Sequence, residues 1–166
     1  MTELASLTEY AKSLQPSKVL WVYFEGNDLQ NMHGEKSAPI LMQYLEDNFS
    51  QHLMDRQEEI DIELEELIDK DIHSLLKKTQ SLRLYKLRLK IQALRSSYES
   101  ANAKIDPLFA KILIKAKERT EAWGGELYFV YLPKFALVIK QNDYDLYREK
   151  TEVIELVKSL SIPVID

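Results

Sequence analysis

Three short apolar runs, separated by long segments with helical periodicity, constrain the fold of this chain most strongly. The runs lie near residues 19–24, 127–132 and 162–165, and the first two are unbroken rather than alternating. Unbroken apolar runs of this length are typical of strands buried on both faces of a sheet. Strands that alternate with helices form βαβ units with right-handed connections. The sequence therefore predicts an α/β chain with a small parallel sheet.

The segments beside these strands carry apolar residues three and four positions apart. This spacing predicts amphipathic helices over residues 4–14, 105–122 and 144–160. Asp106 and Asp143 stand where the N-terminal caps of the second and third helices are expected.

Between Pro39 and Pro107 the sequence contains neither glycine nor proline. Residues 55–71 hold nine acids and two bases, which gives −9 + 2 = −7, whereas residues 77–95 hold seven bases and no acid, which gives +7. Apolar residues recur at helical spacing in both segments. The opposite charges predict an antiparallel helical hairpin with its turn near residues 79–81. One long unbroken helix is the alternative.

Composition and charge exclude several classes of protein. Without cysteine the chain has no disulfide, no thiolate zinc site and no thiol nucleophile. No apolar run approaches the ~18 residues of a membrane span, so we expect no transmembrane segment. The net charge of −5 argues against nucleic-acid binding despite the basic stretch. The three histidines are 19 and 21 residues apart (His33, His52 and His73), which is not a metal-ligand spacing.

Polar residues follow the first and the third predicted strands at once. The first strand is followed by Glu25, Gly26, Asn27 and Asp28, and the third by Asp166. Open parallel sheets bind their ligands at the carboxyl ends of the strands, so this edge is the candidate site. The alternative is purely structural, because Gly-Asn-Asp is also favourable turn chemistry and Asp166 can be a frayed terminal residue.

Two of these segments resemble a known family. Residues 19–29 read V-L-W-V-Y-F-E-G-N-D-L and resemble the third conserved block of the SGNH/GDSL hydrolase superfamily, which ends a central strand with Gly-x-Asn-Asp. Residues 162–166 read I-P-V-I-D and resemble the late strand that carries the triad acid. Y-L-E-D-N-F-S-Q and W-G-G-E-L-Y-F-V-Y-L-P are similar to phrases of a bacterial group in that superfamily. The resemblance covers residues 1–30 and 105–166, and it implies a flavodoxin-like, three-layer parallel sheet of which this chain carries the later strands.

The resemblance also implies a role for each polar residue of the candidate site. Asn27 would be the oxyanion donor, Asp166 the triad acid, and Asp28 a support of the loop. Gly26 and Glu25 would border the substrate, although Glu25 stands where the family has its first glycine. The family's chemistry uses neither a cofactor nor a metal, and its substrate here would be a small-molecule ester or an acylated glycan.

Two parts of the family's catalytic triad have no counterpart in these residues. The sequence contains no Gly-Asp-Ser, and no histidine stands three residues after Asp166. We therefore expect ester hydrolysis or acyl transfer through a Ser-His-Asp triad from the complete protein, and no activity from this chain. The predicted division is a partial α/β core over residues 1–39 and 105–166 and a helical insertion over 40–104. The compartment stays open between the bacterial cytoplasm and the cell envelope.

A second hypothesis belongs to a different class. The helical segment 40–104 would be a non-catalytic interaction or oligomerisation module on an α/β scaffold. A sheet of so few strands leaves an unpaired edge beside Val19–Phe24, which favours association with another chain. A homo-oligomer would then form through the exposed sheet edge or through the helical hairpin.

Overall fold

The structure, a computed structural model, describes residues 1–79, 105–133 and 144–166. The chain begins with α1, a π-helical turn and α2 in direct succession, followed by β1 and α3. The bounds of the elements are α1 Thr2–Ser6, the π turn Leu7–Ala11, α2 Lys12–Leu14, β1 Lys18–Phe24, α3 Asp28–Glu35, α4 Pro39–Met42, α5 Gln57–Thr79, α6 Pro107–Ala122, β2 Glu126–Leu132, α7 Tyr144–Ser159 and β3 Val164–Ile165. Short 3-10 turns span Gln43–Leu45 and Leu53–Arg56.

The three strands form one parallel sheet in the order β1-β2-β3. Lys18 of β1 pairs with Glu126 of β2, and the register continues to Phe24 and Leu132. β3 adds a short third strand, in which Val164 pairs with Phe129. The predicted α/β class and the parallel sheet are confirmed at this level.

The core of the sheet lies on one face. Tyr23 of β1 packs against Phe109 of α6, with 5.7 Å between ring centroids, and its hydroxyl donates to Glu149 of α7 at 3.1 Å. Both helices therefore lie on the face that carries Tyr23. A strand order that advances in one direction, joined by right-handed connections, places successive helices on the same side.

The opposite face of the sheet is exposed along β1 and partly exposed along β2, so the prediction that the strands are buried on both faces was wrong. Leu20 is 59% exposed and Val22 49%, while their neighbours Trp21 and Tyr23 are buried. β2 repeats the alternation, and its Leu132 is 44% exposed. The apolar run could not show this, because apolar side chains occupy both faces whichever face the helices cover.

A buried carboxylate joins the amino-terminal helices to the loop after α4. Glu9, in the π turn, accepts hydrogen bonds from the Tyr44 hydroxyl at 2.8 Å, the Ser50 hydroxyl at 3.0 Å and the Gln51 amide at 2.7 Å. Glu9 is only 6% exposed. Because a buried charge is tolerated only when it is well hydrogen-bonded, these donors explain how Glu9 stays in the interior. Burial raises the pKa of Tyr44 to about 12.

Helix α6 begins and ends as its sequence predicts. The Asp106 side chain accepts from the Leu108 amide at 2.8 Å, and Pro107 occupies the first turn. At the other end Gly124 has a φ of +84°, a left-handed conformation that glycine adopts without strain. Leu113 and Ala116 of this helix are fully buried against the sheet side of the core.

The chain divides into two compact units. The first comprises Met1–Gln51 and Ala103–Asp166, and the second His52–Asn102. Residues 40–51, predicted as part of the helical insertion, lie in the first unit. In the second unit α5 confirms the predicted acidic helix. The basic half of the predicted hairpin lies outside the described residues, as does the turn beyond Thr79.

Helix α5 exposes several apolar side chains along its described part. Ile62 is 61% exposed and Leu67 58%, and Leu64 and Ile68 are about half exposed as well.

The predicted cap Asp143 lies outside the described residues, and α7 begins directly after it at Tyr144. No helix within the described ranges combines the length and the apolarity that a membrane span requires.

Candidate functional site

The candidate site begins in the tight turn that follows β1. Glu25, Gly26 and Asn27 form this turn, and α3 starts at Asp28. Asn27 has φ −156° and ψ −10°, its side chain makes no capping hydrogen bond to α3, and it is exposed. The side-chain amide of Asn27 therefore lies at the carboxyl end of β1, where ligands of parallel sheets bind.

Asp28 fixes the shape of this turn. Its Oδ2 accepts a hydrogen bond from the backbone N–H of Phe24 at 2.7 Å. The backbone N–H of Asn27 donates to the Phe24 carbonyl at 3.4 Å. Burial raises the pKa of Asp28, and the nearby carboxylates of Glu3 and Glu35 raise it further. The side chain thus closes the turn from within and holds Asn27 at its outer side.

Gly26 is favoured by a close approach rather than by its backbone angles, because a side chain at this position would have to move the Phe24 ring. A Cβ at this position would lie 2.2 Å from Cε1 and 2.6 Å from Cζ of the Phe24 ring. Any other residue would therefore displace that ring, which is 40% exposed. Gly26 lets the Phe24 side chain fold over the turn.

Glu25 lies in the interior, beside the second strand. Its amide donates to the Leu132 carbonyl at 3.0 Å, and the residue is 8% exposed. Burial raises the pKa of Tyr131, and the adjacent Glu25 carboxylate raises it further. Glu25 is therefore a partner of a buried tyrosine on β2, and it does not line an open surface.

Asp166 is linked to the same tyrosine through Lys150. Its Oδ1 is 2.7 Å from Lys150 Nζ, and this ammonium stands 5.3 Å from the centroid of the Tyr131 ring. The Asp166 carboxylate contributes to the raised pKa of Tyr131, although less than burial and Glu25 do. Lys150 comes from α7, so a helix and two strands meet here.

Tyr23 and Tyr131 form the centre of this arrangement. They are opposite each other in the sheet register, with 5.4 Å between ring centroids, and both are buried. Burial raises the pKa of Tyr23, with Glu149 as the next cause. We call Tyr23, Tyr131, Glu25, Glu149, Lys150 and Asp166 the tyrosine cluster. At neutral pH both hydroxyls are protonated, so they can donate to the carboxylates.

The structure thus brings some of the predicted site residues together and not others. Glu25 and Asp166 both adjoin Tyr131, and Asp28 contributes to the raised pKa of Tyr23. For Asn27 the described residues show no side-chain contact with the tyrosine cluster. His33 lies on α3, and the other two histidines of the described ranges, His52 and His73, belong to the second unit.

Sequence reasoning missed four members of the tyrosine cluster. Tyr131 lies in the second predicted strand, and its 2% exposure places it in the core, but its neighbouring carboxylates were not foreseen. Tyr23, Glu149 and Lys150 were not singled out. One signal was present, because each of the two long strand runs carries tyrosine at its penultimate position.

The cluster places three carboxylates and one ammonium around two buried phenols, with the Tyr23 hydroxyl donating to Glu149 and Lys150 paired with Asp166. Among the residues that the structure describes, no group of three or more histidine, cysteine, aspartate or glutamate side chains is arranged to hold a metal ion. Comparison with protein-family models, with curated proteins and with solved structures finds no match to this chain.

Proposed function

We propose that this chain is part of an SGNH/GDSL-type hydrolase with a flavodoxin-like core, in which Asn27 is the oxyanion donor and Asp166 the triad acid. The observation that supports the proposal is their common position. Asn27 follows β1 and Asp166 follows β3, so both stand at the carboxyl edge of one parallel sheet. Asp28 supports the Asn27 turn through its bond to the Phe24 amide.

The roles of these two residues follow from the chemistry of ester cleavage. A tetrahedral intermediate carries a negative oxygen, and an amide donor at about 2.7–3.1 Å from that oxygen stabilises it. An exposed asparagine at a strand end can supply such a donor. A buried or paired carboxylate orients the histidine that activates a serine nucleophile. In this chain Asp166 is paired with Lys150 instead.

The same reasoning predicts that the 166-residue chain is inactive in ester hydrolysis. It contains no Gly-Asp-Ser motif, and Asp166 is paired with Lys150 rather than with a histidine. An oxyanion donor without its nucleophile and base leaves only the small residual effect of binding. The purified chain should release p-nitrophenol from p-nitrophenyl acetate no faster than buffer. Steady turnover that Asn27→Ala abolishes would contradict this expectation.

The binding half of the proposal has its own test. Methyl acetate, added to isotopically labelled protein, should shift the NMR signals of the Asn27 side chain and its turn. Asn27→Ala should remove the remaining shifts in that turn, while Asn31→Ala on α3 serves as the matched control. Shifts that are absent, or that persist in Asn27→Ala, would show that the turn does not bind the ester group.

A second candidate function rests on α5. Its apolar residues at positions 60, 64, 67 and 68 share one face, and three of them are about half exposed or more. An exposed apolar stripe on a charged helix favours the interaction-module hypothesis. Leu64→Ser with Leu67→Ser should then weaken association of the chain with its partner or with itself, and Ile62→Ser, on another face, should not.

A further inference from the structure

We propose that two copies of this chain join through the free edge of β1, in antiparallel register, with Leu20 opposite Leu20 of the second copy. Within the described residues β1 pairs with β2 alone, so its other edge has no neighbouring strand. An unprotected edge strand is a template for pairing with another chain. This inference is independent of the proposed hydrolase relationship.

The hydrogen bonds to β2 show which groups face the free edge. The backbone N–H of Glu25 donates to the Leu132 carbonyl of β2. The Ser17 carbonyl accepts from the backbone N–H of Glu126 of β2. In a parallel ladder the backbone groups of alternate residues point to the same neighbour. The odd-numbered residues of β1 therefore face β2, and the N–H and C=O groups of Lys18, Leu20 and Val22 face outward.

At both ends of this row of outward-facing backbone groups, no N–H or C=O group is available to a second copy. At Phe24 the amide donates to Asp28 and the carbonyl accepts from Asn27. At Pro16 there is no amide hydrogen, and the carbonyl accepts from Trp123 Nε1 at 3.0 Å. The available groups therefore run from Lys18 to Val22.

The row is self-complementary about its centre. With Leu20 opposite Leu20, Lys18 of each copy lies opposite Val22 of the other, and all outward groups of the three residues are paired. In the same register Pro16 lies opposite Phe24 of the second copy. The residues whose outward backbone groups are already bonded or absent therefore lie opposite each other. No outward donor or acceptor is left without a partner at either limit.

The charges along β1 are compatible with the same register. Lys18 is exposed, and its ammonium lies over the Tyr128 ring of β2, 5.6 Å from the ring centroid, so it leans away from the free edge. Between Lys18 and Glu25 the strand carries no charge that would repel a copy of itself. A second copy therefore supplies the hydrogen-bonding row without placing a like charge opposite Lys18.

The test is the oligomeric state of the full chain and of charge variants on β1. Multi-angle light scattering and sedimentation should give about twice 19.4 kDa at high protein concentration. Val22→Lys places a lysine opposite Lys18 of the second copy, and two such like-charge pairs should lower the association constant about tenfold. Lys18→Glu combined with Val22→Lys creates two opposite-charge pairs and should restore the dimer.

The control variants distinguish association through the free edge of β1 from association through the exposed face of the sheet. Leu132→Lys puts the same charge on the same face of the sheet but on β2, and it should leave the dimer intact. In hydrogen exchange the Leu20 and Val22 amides should become more protected as protein concentration rises. A chain that remains monomeric, a dimer that Leu132→Lys disrupts as strongly as Val22→Lys, or a double variant that fails to recover would overturn the proposal.

Discussion

At the residue scale, Glu9 is a buried carboxylate that links separate segments of the first unit. It accepts from three donors, the Tyr44 hydroxyl, the Ser50 hydroxyl and the Gln51 amide, and all three lose that acceptor in Glu9→Ala. The Tyr44 hydroxyl is buried and the other two donors are part-buried, and a donor left without an acceptor costs about 1–3 kcal/mol when it is buried, so we expect the free energy of unfolding to fall by about 2–3 kcal/mol. Urea unfolding at neutral pH measures this loss.

Tyr44→Phe is the matched control for Glu9→Ala. It removes one of the three donors and leaves the carboxylate in place, so the loss should be smaller, about 1–2 kcal/mol. Equal losses in the two variants would show that the carboxylate is not shared among the three donors.

Asp28 gives stability a pH dependence of opposite sign to that of most carboxylates. Its pKa in the folded chain lies above the ordinary 3.8, mainly because of burial. The folded state thus holds the proton more tightly than the unfolded state, and this contribution to stability is present at low pH and lost as pH rises through the folded pKa. Asp28→Asn keeps an oxygen that can accept from the Phe24 amide but does not titrate.

We expect the free energy of unfolding to change differently with pH in the natural chain and in Asp28→Asn. As pH rises from below 3.8 through the folded pKa of Asp28, the free energy of unfolding of the natural chain should fall relative to that of Asp28→Asn. Parallel curves for the two proteins over that interval would contradict the raised pKa.

At the element scale, the start of α6 depends on Asp106. Its carboxylate accepts from the Leu108 amide and pairs with Lys36, and these two contacts lower the pKa of Asp106. A lowered folded pKa gives stability above the unfolded pKa that is lost as pH falls through the folded pKa. Asp106→Ala should cost about 1 kcal/mol for the cap, with a further loss from the ion pair.

Asp106→Asn separates the two contributions. Asparagine is as good an N-cap as aspartate but carries no charge for Lys36. We expect it to retain most of the stability and to lose the part that depends on acid pH. Chemical unfolding of both variants at two pH values measures this, and an asparagine variant as unstable as the alanine variant would contradict the capping role.

The elements themselves were predictable because their signals are local. The apolar run at 19–24 predicted β1 to within a residue, and Asp106 with Pro107 predicted the start of α6. The exposed face of the sheet was not predictable, because it depends on strand order and on the side where the connections pass. The π turn at Leu7–Ala11 was also missed, since the sequence there keeps an ordinary helical pattern.

At the scale of the whole molecule, the same distinction applies to the candidate site. Asn27, Asp28 and Asp166 were found because they directly follow strands. Tyr131 and Lys150 are 19 residues apart and meet only because α7 returns across the sheet. Contacts that depend on this return carry no local signal.

The division into two units predicts that the first one folds without the second. The core, the sheet and the Glu9 network all belong to Met1–Gln51 and Ala103–Asp166. Replacing His52–Asn102 with a flexible Gly-Ser linker keeps Gln51, whose amide donates to Glu9, and changes the loop-closure entropy only slowly with length. We expect the shortened chain to unfold cooperatively and to retain the slow hydrogen exchange of the β2 amides.

Glu9→Ala provides the quantitative control for this deletion. Because the three donors Tyr44, Ser50 and Gln51 lie in the first unit, the variant should lose the same free energy of unfolding in the shortened and the full chain, to within about 0.5 kcal/mol. A shortened chain without a cooperative transition would mean that His52–Asn102 is required for the first unit to fold. A loss that differs between the two backgrounds would mean that the second unit supports the Glu9 network, and the two units would then be thermodynamically coupled.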